Sequence, residues 1–218
     1  MNVTRIFLIA SGAFLFGFLG VGIGFYIHAQ QPGVLIVPIP DRPTPRPTFA
    51  LVPPSQAVSG TLTLVTGHAQ KLSREDSEYK EASSGATILL GESIATKEHS
   101  SAVTTVNGIV TATIGEGGEL VFANLFPNNF VLQQKAGKID YMVVAPISVR
   151  VLHTLVAISS GEIAINVIDT DVSVTVKSGT AKIALVDTDN NTNVWTVDAG
   201  QRANIDDAAR RVYLVRAR

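Results

Sequence analysis

The chain has 218 residues, with 17 lysines and arginines against 18 aspartates and glutamates, so its formal charge is −1. This balance provides no basic surface for nucleic acid, and the absence of cysteine excludes a disulfide scaffold, a thiolate metal site and a cysteine nucleophile. The length allows one folded domain with attached segments.

The N-terminal segment predicts a membrane anchor. Residues 6–27 carry no charge, and a helix of that length spans roughly 33 Å, enough to cross a hydrocarbon core of about 30 Å. Arg5 precedes the span and the next positive residue is Arg42, so the positive-inside rule leaves the N-terminus in the cytoplasm. We expect a cytoplasmic tail over 1–5, a transmembrane signal-anchor helix over 6–28 and an extracytoplasmic remainder.

Two other features of this segment concern its processing and pairing. A cleaved signal peptide is the alternative to an anchor, but Ile27-His28-Ala29 is a poor cleavage site and the apolar run exceeds the roughly 7–15 residues usual for signal peptides. Gly20 and Gly24 are four positions apart, a spacing that lets two membrane helices approach closely. A homodimer through this helix face is therefore a hypothesis, against the alternative that glycine is simply common in membrane helices.

A proline-rich linker over 29–58 follows the anchor. Eight of the ten prolines lie between Pro32 and Pro54. Proline fixes φ and removes a backbone donor, so this stretch favours extended polyproline II and cannot join a sheet interior. The segment is predicted to hold the rest of the chain away from the membrane as a stalk.

Residues 59–218 predict an all-β domain. Short runs rich in Val, Ile and Thr are separated by Gly, Asn or Asp, which is typical of strands and turns. Over 172–176 valines alternate with Ser173 and Thr175, so one face of that strand is predicted to be buried. A short-strand double-sheet sandwich and a short β-solenoid both fit this pattern.

Turns are predicted where glycine, asparagine and aspartate cluster, at Asn107-Gly108, 115–118, Ser160-Gly161, Ser178-Gly179 and 189–191. The polar stretch 72–82 predicts a solvated loop or a short surface helix. The C-terminal run 210–218, in which arginines flank a short apolar segment, predicts a final edge strand, with a basic site for an anionic polymer or lipid as the alternative.

The order and spacing of the turns between Gly67 and Leu120 resemble the FecR-like domain of bacterial envelope proteins. Glu92 and Asn107 depart from that pattern, since the family often has aspartate at both places. The matching residues of the turn motif are Gly85, Leu90, Gly91, Ile94, Thr96, Ser100, Ala102, Asn107 and Gly108, with Gly200 in the Ala-Gly-Gln stretch near the end of the domain.

This resemblance implies a non-catalytic, extracytoplasmic β-domain that senses a signal or binds a partner. The best known members of the family are transmembrane regulators that pass a signal to a cytoplasmic sigma factor. Their sigma-binding segment precedes the membrane helix, whereas here only residues 1–5 do so. We therefore expect an anchored binding module without a sigma-binding part.

One loop has the spacing of a calcium site. Between positions 187 and 198 oxygen-bearing side chains occupy loop positions one, three, five, seven and twelve, as in an EF-hand loop. Thr192 stands where that loop requires glycine, and strands rather than helices are predicted on both sides. Calcium binding is thus a hypothesis against the simpler reading of a polar hairpin loop. The candidate ligands are Asp187, Asp189, Asn191, Asn193 and Asp198.

No catalytic constellation emerges from the remaining residues. Ser93 lies in a Gly-Glu-Ser-Ile-Ala stretch similar to the nucleophile elbow of serine hydrolases, but strand-like sequence follows where that elbow needs a helix. The four histidines show no metal-ligand spacing. Trp195 is predicted to pack across strands instead of forming a sugar platform.

Together these features predict a membrane-anchored, extracytoplasmic FecR-like module of the bacterial cell envelope. It is expected to bind an envelope protein or glycan, to need no cofactor and to catalyse no reaction. The alternative is a structural, self-assembling surface protein, in which the β-domain associates with itself.

Overall fold

The computed structural model describes residues 57–216, and in that part of the chain every regular element is a β-strand. The predicted tail, the anchor helix with Gly20 and Gly24, and the linker up to residue 56 lie outside the described residues. The strands are β1 Gly60–Thr66, β2 Ala69–Leu72, β3 Lys80–Ala82, β4 Thr87–Ile88, β5 Ser93–Thr96, β6 Ser101–Val106, β7 Val110–Ile114, β8 Glu119–Phe126, β9 Asn129–Val143, β10 Ile147–Val151, β11 Thr154–Ile168, β12 Asp171–Val186, β13 Thr192–Asp198, β14 Gln201–Asp206 and β15 Arg211–Arg216.

Hydrogen bonds join these strands into one open, fifteen-stranded sheet. It consists of two ladders that share β9, β11 and β12. The first ladder runs β3-β2-β5-β8-β9-β10-β11-β12-β13 and the second runs β4-β1-β6-β7-β9-β11-β12-β14-β15. Only the β9–β10 pair is parallel. The all-β prediction is confirmed, and the bonding forms one branched sheet where the prediction offered two separate sheets or a solenoid.

Each shared strand passes from one ladder to the other at a glycine. Gly137, Gly161 and Gly179 all have positive φ, and the alternation of buried side chains shifts by one position across each of them. This shift keeps the apolar side chains pointing inward after the strand has bent. In β12, for example, Val172, Val174 and Val176 are buried before the glycine, and Ala181, Ile183 and Leu185 after it.

The glycines also permit a close approach of two backbones. Gly161 and Gly179 face each other across β11 and β12. A Cβ on Gly161 would lie 2.1 Å from the carbonyl oxygen of Ser178, and one on Gly179 would lie 2.1 Å from that of Ser160. The turns predicted at Ser160-Gly161 and Ser178-Gly179 are therefore wrong, because both glycines bend a continuous strand.

A single hydrophobic cluster fills the interior and draws side chains from both ladders. The fully buried amide of Gln134 lies among these apolar side chains. Gln134 donates from Nε2 to the carbonyl oxygens of Gly137 and Ile165 at 2.7 and 3.1 Å, and its Oε1 accepts from Tyr141 Oη at 3.0 Å. Burial raises the pKa of the Tyr141 hydroxyl well above its ordinary value, so it stays a donor. These bonds satisfy a polar side chain that would otherwise be costly to bury.

Three of the predicted turns are confirmed. Asn107-Gly108, 115–118 and 189–191 each connect two strands, and β15 is an edge strand that pairs only with β14. The stretch 72–82 contains no helix; its turns end in the short strand β3. Across residues 57–216 no helix of the length and hydropathy needed to span a membrane occurs.

Candidate functional site

Three connections meet at one end of the sheet and line an open pocket of about 730 Å³. They are the β10–β11 turn at 152–153, the β12–β13 loop at 187–191 and the β14–β15 turn at 207–210. We call this space the loop pocket. Its principal polar lining comes from Arg150, His153, Asp187, Thr188, Asn190 and Arg210.

A buried carboxylate ties two of these connections together. Oδ1 of Asp207 accepts a hydrogen bond from the backbone N–H of His153 at 3.1 Å, and Oδ2 lies 2.7 Å from Nδ1 of the same residue. The Asp207 side chain is only 6% exposed, whereas that of His153 is 61% exposed. Because a carboxylate accepts, Nδ1 carries the proton, and Nε2 is the ring nitrogen available to solvent or a ligand.

The third connection is ordered by its own aspartate. Asp187 Oδ1 accepts from the backbone N–H groups of Asp189 and Asn191 at 2.9 and 2.8 Å, and Oδ2 accepts from Asn193 Nδ2 at 3.0 Å. The N–H of Asn191, followed by the other donors, lowers the pKa of Asp187 below its ordinary value. The carboxylate is therefore ionised at neutral pH and holds the loop closed.

This geometry bears on the calcium hypothesis. Both oxygens of Asp187 point at donors of the loop, and within residues 57–216 no group of three or more His, Cys, Asp or Glu side chains is arranged to hold a metal. Asp198 is displaced to the far end of β13, where its Oδ1 accepts from Thr180. The polar hairpin reading accounts for the loop, and calcium binding stays an untested prediction.

Two arginines line the pocket and form no ion pair within the described part of the chain. Nη1 of Arg210 donates to the carbonyl oxygen of Val186 at 3.2 Å. Among the ion pairs of the described residues, none within 4.0 Å involves Arg150 or Arg210. A guanidinium offers five N–H donors in a fixed fork, so both groups keep donors for a ligand.

A buried hydroxyl in the pocket wall also lacks a partner. Thr154 is 1% exposed, and its Oγ1 makes no hydrogen bond within the described part of the chain. An unpaired buried polar group costs about 1–3 kcal/mol, and native proteins retain few of them. The Oγ1 atom has almost no solvent-accessible surface, so it lies behind the pocket wall, out of reach of a ligand in the pocket.

The backbone around the pocket is strained. Leu152, Asn190 and Arg210 have φ values of 48°, 63° and 54°, which lie in the left-handed region that costs non-glycine residues energy. Three of the five such residues in the described chain line this pocket. Strain of this kind often accompanies binding and catalytic sites.

The residues of the predicted turn motif lie elsewhere and hold the first part of the sheet together. Thr96 Oγ1 accepts from the N–H of Gly118 at 3.0 Å and donates to the carbonyl oxygen of Gly115 at 2.5 Å. Ser100 Oγ accepts from the N–H of His68 at 3.0 Å. Gly85, Gly91, Gly108 and Gly200 have positive φ, Ile94 and Ala102 are buried, Leu90 is half-buried, and Asn107 is exposed in its turn.

The serine of the elbow-like stretch lies in a strand. Ser93 begins β5 and is buried, with its Oγ 2.9 Å from the hydroxyl of Tyr79. That hydroxyl donates to Glu119 at 2.8 Å, and Glu119 pairs with Lys135 at 2.7 Å. Burial raises the pKa of Tyr79. This network joins β5, β8 and β9 and brings no histidine to the serine.

The sequence offers Asp187 as a candidate calcium ligand in a polar hairpin loop, and it gives no signal for the rest of the loop pocket. His153 was one of four scattered histidines, and Arg210 belonged to a charged strand end. Asp207 lies 54 positions from His153, so no local spacing announces their contact. Trp195 packs against the core, as predicted.

Comparison with known proteins supports the fold alone. No family model matches the sequence, and no curated protein matches it. Two solved structures of a protein described as a putative anti-sigma factor from Parabacteroides distasonis are similar, both with a TM-score of 0.51 and with 12% and 11% identity. Each similarity covers 57% of this chain and 59% of the other. At such low identity the match shows a shared β-architecture over little more than half of each chain.

Proposed function

We propose that this protein is a non-catalytic, membrane-anchored module of the bacterial cell envelope, whose extracytoplasmic β-domain senses or binds a partner through the loop pocket. The observation that carries the proposal is the pocket itself. Three loops on a rigid sheet converge there with unpaired donors, which is how binding sites are commonly built.

The structural neighbours favour a regulatory role. They are described as a putative anti-sigma factor, a class of protein that acts by binding, and the similarity covers 57% of this chain. The FecR-like resemblance of the turn motif points the same way. Anchoring rests on the uncharged run over 6–27 and on the proline-rich linker, which together would present the pocket to the envelope.

The test is in-cell cross-linking of a C-terminally tagged full chain, followed by identification of the captured material. A defined envelope component, captured by the wild type and lost in a variant with a disrupted pocket, supports the proposal. Asp207→Ala is the disrupting change, because it releases the turn that carries His153. Equal capture by wild type and variant would refute binding through the pocket.

Anchoring is tested separately. The full chain is expected to remain in the membrane fraction after carbonate extraction, and external protease should remove the β-domain from spheroplasts. Deletion of residues 6–28 is expected to release the protein from the membrane fraction. A full chain that washes off with carbonate would contradict the anchor.

A structural, self-assembling role is the second candidate, and the edge strand β15 favours it. Tyr213, Leu214 and Val215 are 53%, 47% and 44% exposed, and an exposed edge strand can pair with another chain. However, antiparallel pairing of two copies with ends matched would oppose Arg211 and Arg216, which repel. Self-assembly predicts concentration-dependent oligomers that Leu214→Lys abolishes; a monomer at all concentrations would refute it.

A further inference from the structure

The loop pocket combines positive and neutral donors in a way that specifies a class of ligand. We infer that it binds a sugar acid, with Arg150 and Arg210 holding the carboxylate and Thr188 and Asn190 meeting the hydroxyl groups. This inference rests on the proposed function and names the ligand class of the same pocket.

The anionic part of the ligand follows from the two guanidinium groups. Both line the pocket and neither has a carboxylate within 4.0 Å in the described chain. Arginine matches a carboxylate with two parallel hydrogen bonds. His153 adds a donor or an acceptor through Nε2, since its Nδ1 is occupied by Asp207.

Four carboxylates stand on or next to the three connections and could oppose an anion, those of Asp187, Asp189, Asp206 and Asp207. Asp187 directs both oxygens to donors around its own loop, and Asp207 directs both to His153. Asp206 Oδ1 accepts from the N–H of Ala209, so these three charges are partly balanced by donors of the protein. Of the four, Asp187 alone lines the pocket beside the two arginines.

The hydroxyl-bearing part of the ligand follows from the neutral groups. Thr188 and Asn190 stand on the β12–β13 loop, line the pocket and are exposed. A threonine hydroxyl can both donate and accept, and an asparagine amide offers donors and an acceptor. A ligand with a carboxylate alone would leave these groups unused, whereas a polyhydroxylated ring offers donors and acceptors to each. The pocket volume of about 730 Å³ is within the usual range for small-molecule sites.

The direct test uses full-length protein in detergent micelles and saturation-transfer NMR with four probes: D-glucuronate, D-glucose, inorganic phosphate and a glutamate-containing tripeptide. Glucuronate is expected to bind and glucose to bind at least about tenfold more weakly, because a charge-assisted pair contributes about 1.5–3 kcal/mol. Binding of glucose as strong as that of glucuronate would overturn the inference. If phosphate or the tripeptide bound as strongly as glucuronate, the preference for a sugar would be refuted and the pocket would be a general anion site.

Substitutions locate the site. Arg150→Gln and Arg210→Gln should each weaken glucuronate binding about tenfold or more, whereas Arg202→Gln, on exposed β14 outside the pocket, should not. Thr188→Val should weaken binding about fivefold, because it removes a hydroxyl that meets the ligand. Thr154→Val should leave binding unchanged, because its Oγ1 lies out of reach behind the pocket wall. Wild-type binding in either pocket arginine variant, or an equal loss in Arg202→Gln, would refute the assignment.

Failure of this inference can be distinguished from failure of the proposed function. If the in-cell cross-linking captures a defined partner and the Arg150→Gln, Arg210→Gln double variant captures it equally well, the ligand class is wrong while the binding module stands. If the wild type captures nothing, the proposed function fails, whatever the sugar probes show.

Discussion

The close approach of two backbones at Gly161 and Gly179 leads to a quantitative prediction about stability. Gly179→Ala introduces a Cβ 2.1 Å from the carbonyl oxygen of Ser160, at a φ of 79°. The left-handed backbone costs alanine about 1–2 kcal/mol, and forcing an atom into a filled space costs about 1–3 kcal/mol more. We expect the free energy of unfolding to fall by about 2–5 kcal/mol.

Gly200 provides a matched control. Its φ of 78° is nearly the same, but a Cβ there would meet nothing within 4 Å. Gly200→Ala should therefore lose only the backbone contribution of about 1–2 kcal/mol. The assay is urea unfolding of the full chain in detergent, followed by the fluorescence of Trp195, which is the sole tryptophan and packs against the core. Equal losses of unfolding free energy in Gly179→Ala and Gly200→Ala would refute the close approach of the two backbones.

Four further predictions test the interior and the loop pocket. Tyr141→Phe leaves the buried Gln134 acceptor unpaired and should lower the unfolding free energy by about 1–3 kcal/mol; no loss in urea unfolding would contradict the network. Asp207→Ala should speed hydrogen exchange at the His153 amide, which loses its acceptor, and unchanged exchange would argue against that bond. Since the pKa of Asp187 is depressed in the fold, its stabilisation of the loop is present above its ordinary pKa of 3.8 and is lost as the pH falls through the lower folded value. NMR shifts of the Asn191 amide should therefore change only below about pH 4, and a change near neutrality would contradict this reading. The same geometry predicts that millimolar calcium leaves the melting temperature unchanged; a rise that Asp187→Asn abolishes would instead establish the calcium site.

The fold class could be predicted because its signals are local. Alternating valines mark buried strand faces, and Asn107-Gly108 marks a hairpin turn whatever the rest of the chain does. The bends of the long strands at Gly137, Gly161 and Gly179 could not be predicted in this way. Glycine serves both a tight turn and a bent strand, and only the partner strand decides between them. The shift of buried positions across Gly179 was visible in the sequence, but a hairpin would also permit it.

The loop pocket could not be predicted because its groups come from distant parts of the chain. Arg150, His153 and Asp207 meet only after β11, β12 and β14 have paired. The one local signal, the aspartate and asparagine cluster around Asp187, correctly identified a loop at the pocket. Its EF-hand spacing predicted ligands for a metal, whereas the structure uses the same carboxylate to order the loop.

The residues that carry the family resemblance and those that line the pocket belong to different parts of the sheet. Thr96 and Ser100 bond backbone groups of neighbouring turns, so their pattern is kept by the requirements of folding. The pocket loops contain none of them, and changes at Arg150 or Arg210 would leave the turn motif untouched. Two proteins can therefore share this architecture and bind unrelated ligands. For this reason the likeness to the two solved structures supports the scaffold alone, and the chemistry of a ligand has to be read from the pocket itself.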